Sequence, residues 1–291
     1  MNNIKVLVLG GSGQLGKYLT SELEKRQIEF FAPNKKLLDI LQRDSIRNAL
    51  VEFAPTAVVN CAAWTDVAQS EADPTIAFQI NFEGVQNLAL ETSEFDLPLI
   101  HISTDFVFGG NESGEVEEFA TRMPLNKYGE SKSAGEIAAL QLNAKTTVLR
   151  TSWLYGDPDR DFLGKVLLRV RGGDSIGVVV DEIGNPTWAG DLSLRIVECL
   201  LEEIPPGIYH ASNSGIASRF DFAAELLRIL NLDRNLIYEI RSEIKPFSLR
   251  RPNFINLSQK AWLGVGMAEM RHWKLALFDA AEKYRDWIKY D

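Results

Sequence analysis

The feature that most limits the fold of this 291-residue chain is its rhythm. Five short apolar runs, "IKVLVLG", "IEFFAP", "AVVNCAA", "LPLIHIST" and "TTVLRTS", are separated by helix-like stretches through Leu50, Asn87 and Ala138. Continuous β-branched runs fit strands buried on both faces, and strand-helix alternation places such strands in a parallel sheet covered by helices. Residues 1–151 are therefore expected to form a doubly wound α/β domain.

After Arg150 the rhythm loosens. A loop "LYGDPDRDF" precedes a helix at Phe162 to Val170, a strand "SIGVVVD" and a helix near Asp191 to Glu202. Then come "GIYHASNSG", a helix with Ser218 as its N-cap, a strand "LIYEI" and the Pro-bearing "RRPNFINLS". This predicts a smaller C-terminal lobe over 152–291, with segments near 176–204 returning to the first domain. No long linker separates the two, so they should enclose a cleft.

A net charge of −9 gives no basic surplus for nucleic acid. No apolar run is long enough to span a membrane, and "MNNIKVLVLGG" reads as a first strand rather than a signal peptide. Cys61 and Cys199 have no paired spacing, which fits reduced thiols in a cytoplasmic protein. His101, His210 and His272 have no partner at metal-ligand spacing, so no metal site is expected.

"VLVLGGSGQLGKYL" sets Gly10, Gly11, Gly13 and Gly16 between the first strand and a helix beginning near Gln14. Glycines there let the backbone approach a pyrophosphate whose charge sits at the helix N-terminus, the arrangement of a Rossmann-type dinucleotide site. The second strand ends in Asn34, Lys35 and Lys36 without an acid for the ribose hydroxyls, which favours NADPH over NADH while leaving NADH open.

"YGESKSAGE" places Tyr128 and Lys132 one helical turn apart. A free phenol has a pKa near 10, and a neighbouring ammonium together with a cofactor's positive ring would favour phenolate and bring proton exchange closer to neutral pH. Thr104 or Ser103, at the carboxyl end of the fourth strand, is placed to hydrogen-bond a carbonyl. Such a centre suits hydride transfer to a ketone with Tyr128 as proton donor. Trp153 is a stacking candidate, and Arg250 and Arg251 are candidates for clamping a diphosphate.

Together the glycine loop, "NCAAWTDVAQSE", "STDFVF", the Tyr-x-x-x-Lys unit and "RTSWLYG" resemble the extended short-chain dehydrogenase/reductases. "GQLG", "YGESKSAGE", "TSWLYG", "DEIGNPTWAGDLS", "GIYHASNSG" and "RRPNFINLS" narrow the resemblance to the dTDP-4-dehydrorhamnose reductase family, over nearly the whole chain. It implies NADPH-dependent reduction of dTDP-6-deoxy-L-lyxo-4-hexulose to dTDP-L-rhamnose. A monomer or homodimer is expected, with any metal at a subunit contact left open. Thr104, Tyr128 and Lys132 match the family's catalytic positions. Gly13, Gln14 and Leu15 match its pyrophosphate loop, Asp39 and Ile40 the adenine neighbourhood, and Ala62, Ala63 and Trp64 the stretch beneath the cofactor. Asp105 and Trp153 match positions lining the sugar site.

One departure bears on the sugar: the family's Ser-Thr-Asp-Tyr-Val-Phe-Asp-Gly reads "STDFVFGG" here, so Phe106 lacks a hydroxyl and Gly109 a carboxylate. Two other readings stay open on sequence alone. One is a reductase, epimerase or dehydratase of another nucleotide-linked deoxysugar; the other is a non-catalytic regulatory subunit that binds NADP.

Overall fold

The computed structural model describes residues 4–110, 114–242 and 250–290; Met1 to Asn3 of the opening run lie outside them. The first part of the chain runs β1 (Lys5–Leu9), α1 (Gln14–Lys25), β2 (Glu29–Phe31), α2 (Arg43–Phe53), β3 (Ala57–Asn60), α3 (Val67–Ala72) and α4 (Thr75–Phe78). A π-helical turn at Gln79–Glu83 leads to α5 (Gly84–Glu94), β4 (Leu99–Thr104), β5 (Glu115–Val116), α6 (Lys127–Leu142) and β6 (Thr146–Thr151).

The rest comprises β7 (Leu154–Tyr155), α7 (Phe162–Arg171), β8 (Ile176–Val179), β9 (Ile183–Gly184), β10 (Thr187–Trp188) and α8 (Ala189–Leu201). It continues with β11 (Gly207–His210), β12 (Ala217–Ser218), α9 (Arg219–Leu230), β13 (Ile237–Ile240), β14 (Asn256–Leu257), α10 (Lys260–Gly264) and α11 (Trp273–Tyr290).

Six strands form one parallel sheet in the order β2-β1-β3-β4-β6-β11. The strand period of two explains why it is covered on both sides. Val6 and Val8 pack with Leu19 and Leu23 of α1 and Ile196 of α8 on one face. Leu7 and Leu9 pack with Leu50 of α2 and Leu88 of α5 on the other. This is the doubly wound architecture the alternation predicts.

Away from the sheet, α7, α9 and α11 enclose a second core that includes Leu167, Phe222 and Leu277. Ser218 caps α9 in a reciprocal box with Asp221, as its position before the apolar run suggests. The chain returns to the large sheet through α8 and β11, whereas β8 pairs with β13 beside the second core. No helix among the described residues is long and apolar enough to cross a membrane.

The sheet order reverses between β1 and β3, since β2 lies on one side of β1 and all later strands on the other. Crevices beyond the carboxyl ends of strands at such a reversal are where ligands of these sheets bind.

Candidate active site

At that reversal the glycine loop is built for close approach. Gly10 has φ +78°, and a Cβ there would sit 2.6 Å from the Ala62 nitrogen at the end of β3. A Cβ on Gly16 would sit 2.2 Å from the Gly10 carbonyl oxygen, so the first turn of α1 rests directly on the loop. Gly13 is the N-cap of α1 without a side-chain cap, and no acid lies in the first turn, which leaves the positive helix end to an outside anion.

A cleft of about 540 Å³ opens over this loop. Gly13, Gln14, Leu15, Ala63 and Ser103 line its inner part, and Thr104, Tyr128 and Lys132 meet there. Gln14 Nε2 and Thr151 Oγ1 are buried without a hydrogen-bond partner among the described residues, and both side chains line the cleft. Unpaired buried polar atoms beside a bare helix N-terminus are what a polar, phosphate-bearing cofactor would satisfy, so the residues fit a dinucleotide.

Asn126 caps α6 by accepting from the Gly129 N–H at 2.9 Å, and this fixes the helix start one residue before Tyr128. A Cβ on Gly129 would sit 2.3 Å from the Phe106 carbonyl oxygen, so α6 is seated tightly on the turn after β4. Burial pushes the Tyr128 phenol up to about 12, opposed by a hydrogen bond with Thr104 and reinforced by the charge of Asp105. Burial also pulls the Lys132 ammonium down to about 8, against Glu136 and Cys61.

Lys132 Nζ donates to the Ile102 carbonyl at 2.7 Å. Burial is the largest influence on the phenol, and it works against the phenolate that the ammonium together with a cofactor's positive ring would favour. Thr104 Oγ1 donates to Asp105 at 3.2 Å and accepts from the Phe106 N–H, while Asp105 also accepts from Ser152 at 2.7 Å. Burial raises the Asp105 pKa, with Ser152 and Thr104 opposing. The Ser103 hydroxyl is turned away from this centre and donates to buried Glu136.

The same cleft is also lined by Phe106, Trp153, Arg219 and Arg251. Phe106 packs edge-on against the Tyr128 ring with centroids 5.5 Å apart. Trp153 adopts φ +45°, a strained conformation for a bulky residue, and its indole lies against the Gly184 backbone, where a Cβ would come within 2.9 Å. The Arg219 guanidinium lies 3.5 Å from the Trp153 ring centroid, with its Nε 3.7 Å from Glu182. Burial brings Arg219 down to about 10, opposed by Glu182 and aided by Arg251.

Other sequence candidates lie elsewhere on the same sheet edge and do not line this cleft. The Asn34 side chain accepts from the Lys36 N–H at 2.9 Å, and Lys35 is exposed beside it. Asp39 accepts from the Leu41 N–H, and Ile40 is buried against Gly84. Ala62 is held by Asn60, and Trp64 by Asn81, whose side chain both accepts from the Trp64 N–H at 2.8 Å and donates to its carbonyl at 2.9 Å.

Sequence reasoning missed Asn81 and Arg219. Asn81 also donates to Ser131 at 3.0 Å, linking the loop after β3 to α6; nothing local marks it. Arg219 opens α9, and nothing local in the sequence ties it to Trp153 or to the cleft.

Comparison with known proteins agrees with this geometry. The model of the RmlD substrate binding domain family matches residues 4–286. A dTDP-4-dehydrorhamnose reductase of Streptomyces griseus is 36% identical, covering 94% of this chain and 92% of its own. A dTDP-4-keto-6-deoxy-D-glucose reductase of Streptomyces niveus is 34% identical over 94% of this chain and 95% of its own. The crystal structure of a Bacillus anthracis dTDP-4-dehydrorhamnose reductase in complex with NADP superposes with a TM-score of 0.90 at 33% identity, covering 94% and 97% of the two chains. The resemblance drawn from the motifs thus holds across the chain, which belongs to the RmlD substrate binding domain family.

Proposed function

We propose that this protein is an NADPH-dependent ketoreductase that converts dTDP-6-deoxy-L-lyxo-4-hexulose to dTDP-L-rhamnose. The observation that carries the reading is the convergence of Thr104, Tyr128 and Lys132 in one cleft with the open N-terminus of α1. Support comes from the relatives' names, which share reduction of a dTDP-linked sugar, and from the NADP complex of the Bacillus anthracis enzyme.

In this account Gly10, Gly13, Gln14, Leu15 and Gly16 hold the pyrophosphate, and Ala62, Ala63 and Trp64 lie beneath the cofactor. Asn34 and Lys35 hold the 2'-phosphate, with Asp39 and Ile40 beside the adenine. When bound, NADPH supplies the hydride taken up by the carbonyl carbon. Tyr128, protonated at neutral pH, gives its proton to the ketone oxygen, so the C=O bond becomes CH–OH. Thr104 orients that oxygen. Lys132 spends one donor on Ile102 and has two left for the nicotinamide ribose and the developing phenolate.

Trp153 and Phe106 present apolar faces to the sugar, and Asp105 anchors a hydroxyl. Arg251, with Arg219 beside it, supplies positive charge for the diphosphate. Residues 1–151 then act as the dinucleotide-binding domain and 152–291 mainly as the substrate lobe. The test is to compare NADPH and NADH binding by tryptophan quenching, then turnover over a panel of dTDP-linked 4-ketosugars. Tight NADPH binding with turnover confined to other ketosugars would reject the substrate and keep the chemistry.

A further inference from the structure

Glu136 lies one helical turn beyond Lys132 on α6 and is fully buried. Its carboxylate accepts from Arg150 Nε at 2.9 Å and Nη2 at 2.7 Å, from Arg122 Nε at 2.8 Å, and from the Ser103 hydroxyl. Arg150 in turn donates from Nη1 to the Glu118 carbonyl at 2.8 Å and lies over the Phe108 ring. One carboxylate therefore joins α6, β4, β6 and the segment before α6. Ser103 immediately precedes Thr104, and Arg150 immediately precedes Thr151, which also lines the cleft.

A solvent-inaccessible carboxylate is retained only where paired charges and hydrogen bonds offset its desolvation. Burial would raise the Glu136 pKa, but Arg150, Ser103 and Arg122 hold it below the ordinary carboxylate value. The network thus favours the carboxylate over the acid.

We infer that Glu136 is a positioning residue whose carboxylate, one helical turn from buried Lys132, supplies that lysine's counter-charge and, through Ser103, fixes the end of β4 that carries Thr104. The inference rests on the proposed roles of Lys132 and Thr104 for its catalytic meaning, but its physical content stands on the geometry.

The groups facing Lys132 are Cys61 from the end of β3, His101 from β4, and Tyr128 and Glu136 from α6. Those facing Glu136 are Arg150 on β6, Arg122, Ser103 on β4 and His210 on β11. Burial raises Cys61 to about 12, lowers His101 well below its ordinary value and lowers His210 to about 3, so these three are neutral near pH 7. Among the groups facing Lys132, Glu136 supplies the negative charge. Removing it lets desolvation lower the lysine further.

The test is ¹³C NMR titration of the Lys132 ε-methylene in the full chain, its resonance assigned by its loss in Lys132→Arg. The variants are Glu136→Gln, Glu136→Asp, and the double variant Glu136→Gln with Arg150→Met, which avoids leaving Arg150 buried and unpaired and is read against Arg150→Met alone so that the lost positive charge is common to both. The expected wild-type midpoint is about 8. It should fall by about one pH unit or more in Glu136→Gln, lie lower in the double variant than in Arg150→Met alone, and stay in place in Glu136→Asp. The alkaline limb of kcat/KM should move with it. A double variant whose Lys132 midpoint equals that of Arg150→Met alone overturns the inference. A wild-type protein that reduces no ketosugar would overturn the proposed function instead, and the titration would still decide the role of Glu136.

Discussion

Replacing Gly135 by alanine tests whether the register of α6 governs the reaction. A Cβ at this position would sit 2.0 Å from the Asn81 carbonyl oxygen, in the π-helical turn that packs on α6. Ordinary van der Waals contact begins at 3.4 Å, so helix and turn must separate by about 1.4 Å. The obstruction is backbone on a buried residue, which cannot swing aside as a side-chain end could. Asn81 also grips both backbone groups of Trp64 and the Ser131 hydroxyl, so the strain reaches the loop after β3 as well as the helix carrying Tyr128 and Lys132.

Overpacking of this kind costs roughly 1–3 kcal/mol of stability. A displacement of about 1 Å at the reacting groups costs on the order of 100-fold in rate. The assay is steady-state NADPH oxidation with the ketosugar, alongside thermal unfolding. Gly264→Ala is the control, because nothing lies within 4 Å of its added Cβ. A folded Gly135→Ala protein with kcat and thermal midpoint equal to wild type would refute the reasoning.

Three further outcomes are expected. Tyr128→Phe should lower kcat by about 10²–10⁴-fold, the usual worth of a general acid, with NADPH affinity by fluorescence titration unchanged. Arg219→Gln should raise KM for the nucleotide sugar by about 10- to 100-fold, the weight of a hydrogen bond to a charged group, without altering NADPH binding. Arg150→Ala should lower stability by about 3–5 kcal/mol in denaturant unfolding, because Glu136 loses its bidentate partner inside the protein. Unfolding curves that coincide for Arg150→Ala and wild type would show that Arg122 alone satisfies the carboxylate.

Much of the site was legible because its chemistry is local in sequence. Gly10 to Gly16 occupy one turn, and Tyr128 and Lys132 occupy one face of one helix, so spacing alone brought them together. What the sequence hid comes from distant segments. Asn81 meets Trp64 across 17 positions and Ser131 across 50, and Glu136 meets Ser103 across 33. The placement of Arg219 against Trp153 depends on how the second lobe closes over the sheet. The burial of Tyr128 was likewise hidden: the charge of Lys132 is visible in the sequence, whereas desolvation of the phenol is a property of the packed cleft.

The most direct test of the central claim is NMR identification of the product formed when the protein consumes NADPH in the presence of dTDP-6-deoxy-L-lyxo-4-hexulose. The account predicts stoichiometric oxidation of NADPH and dTDP-L-rhamnose as the product. NADPH that binds but is not oxidised, or a product differing at C4, would contradict it.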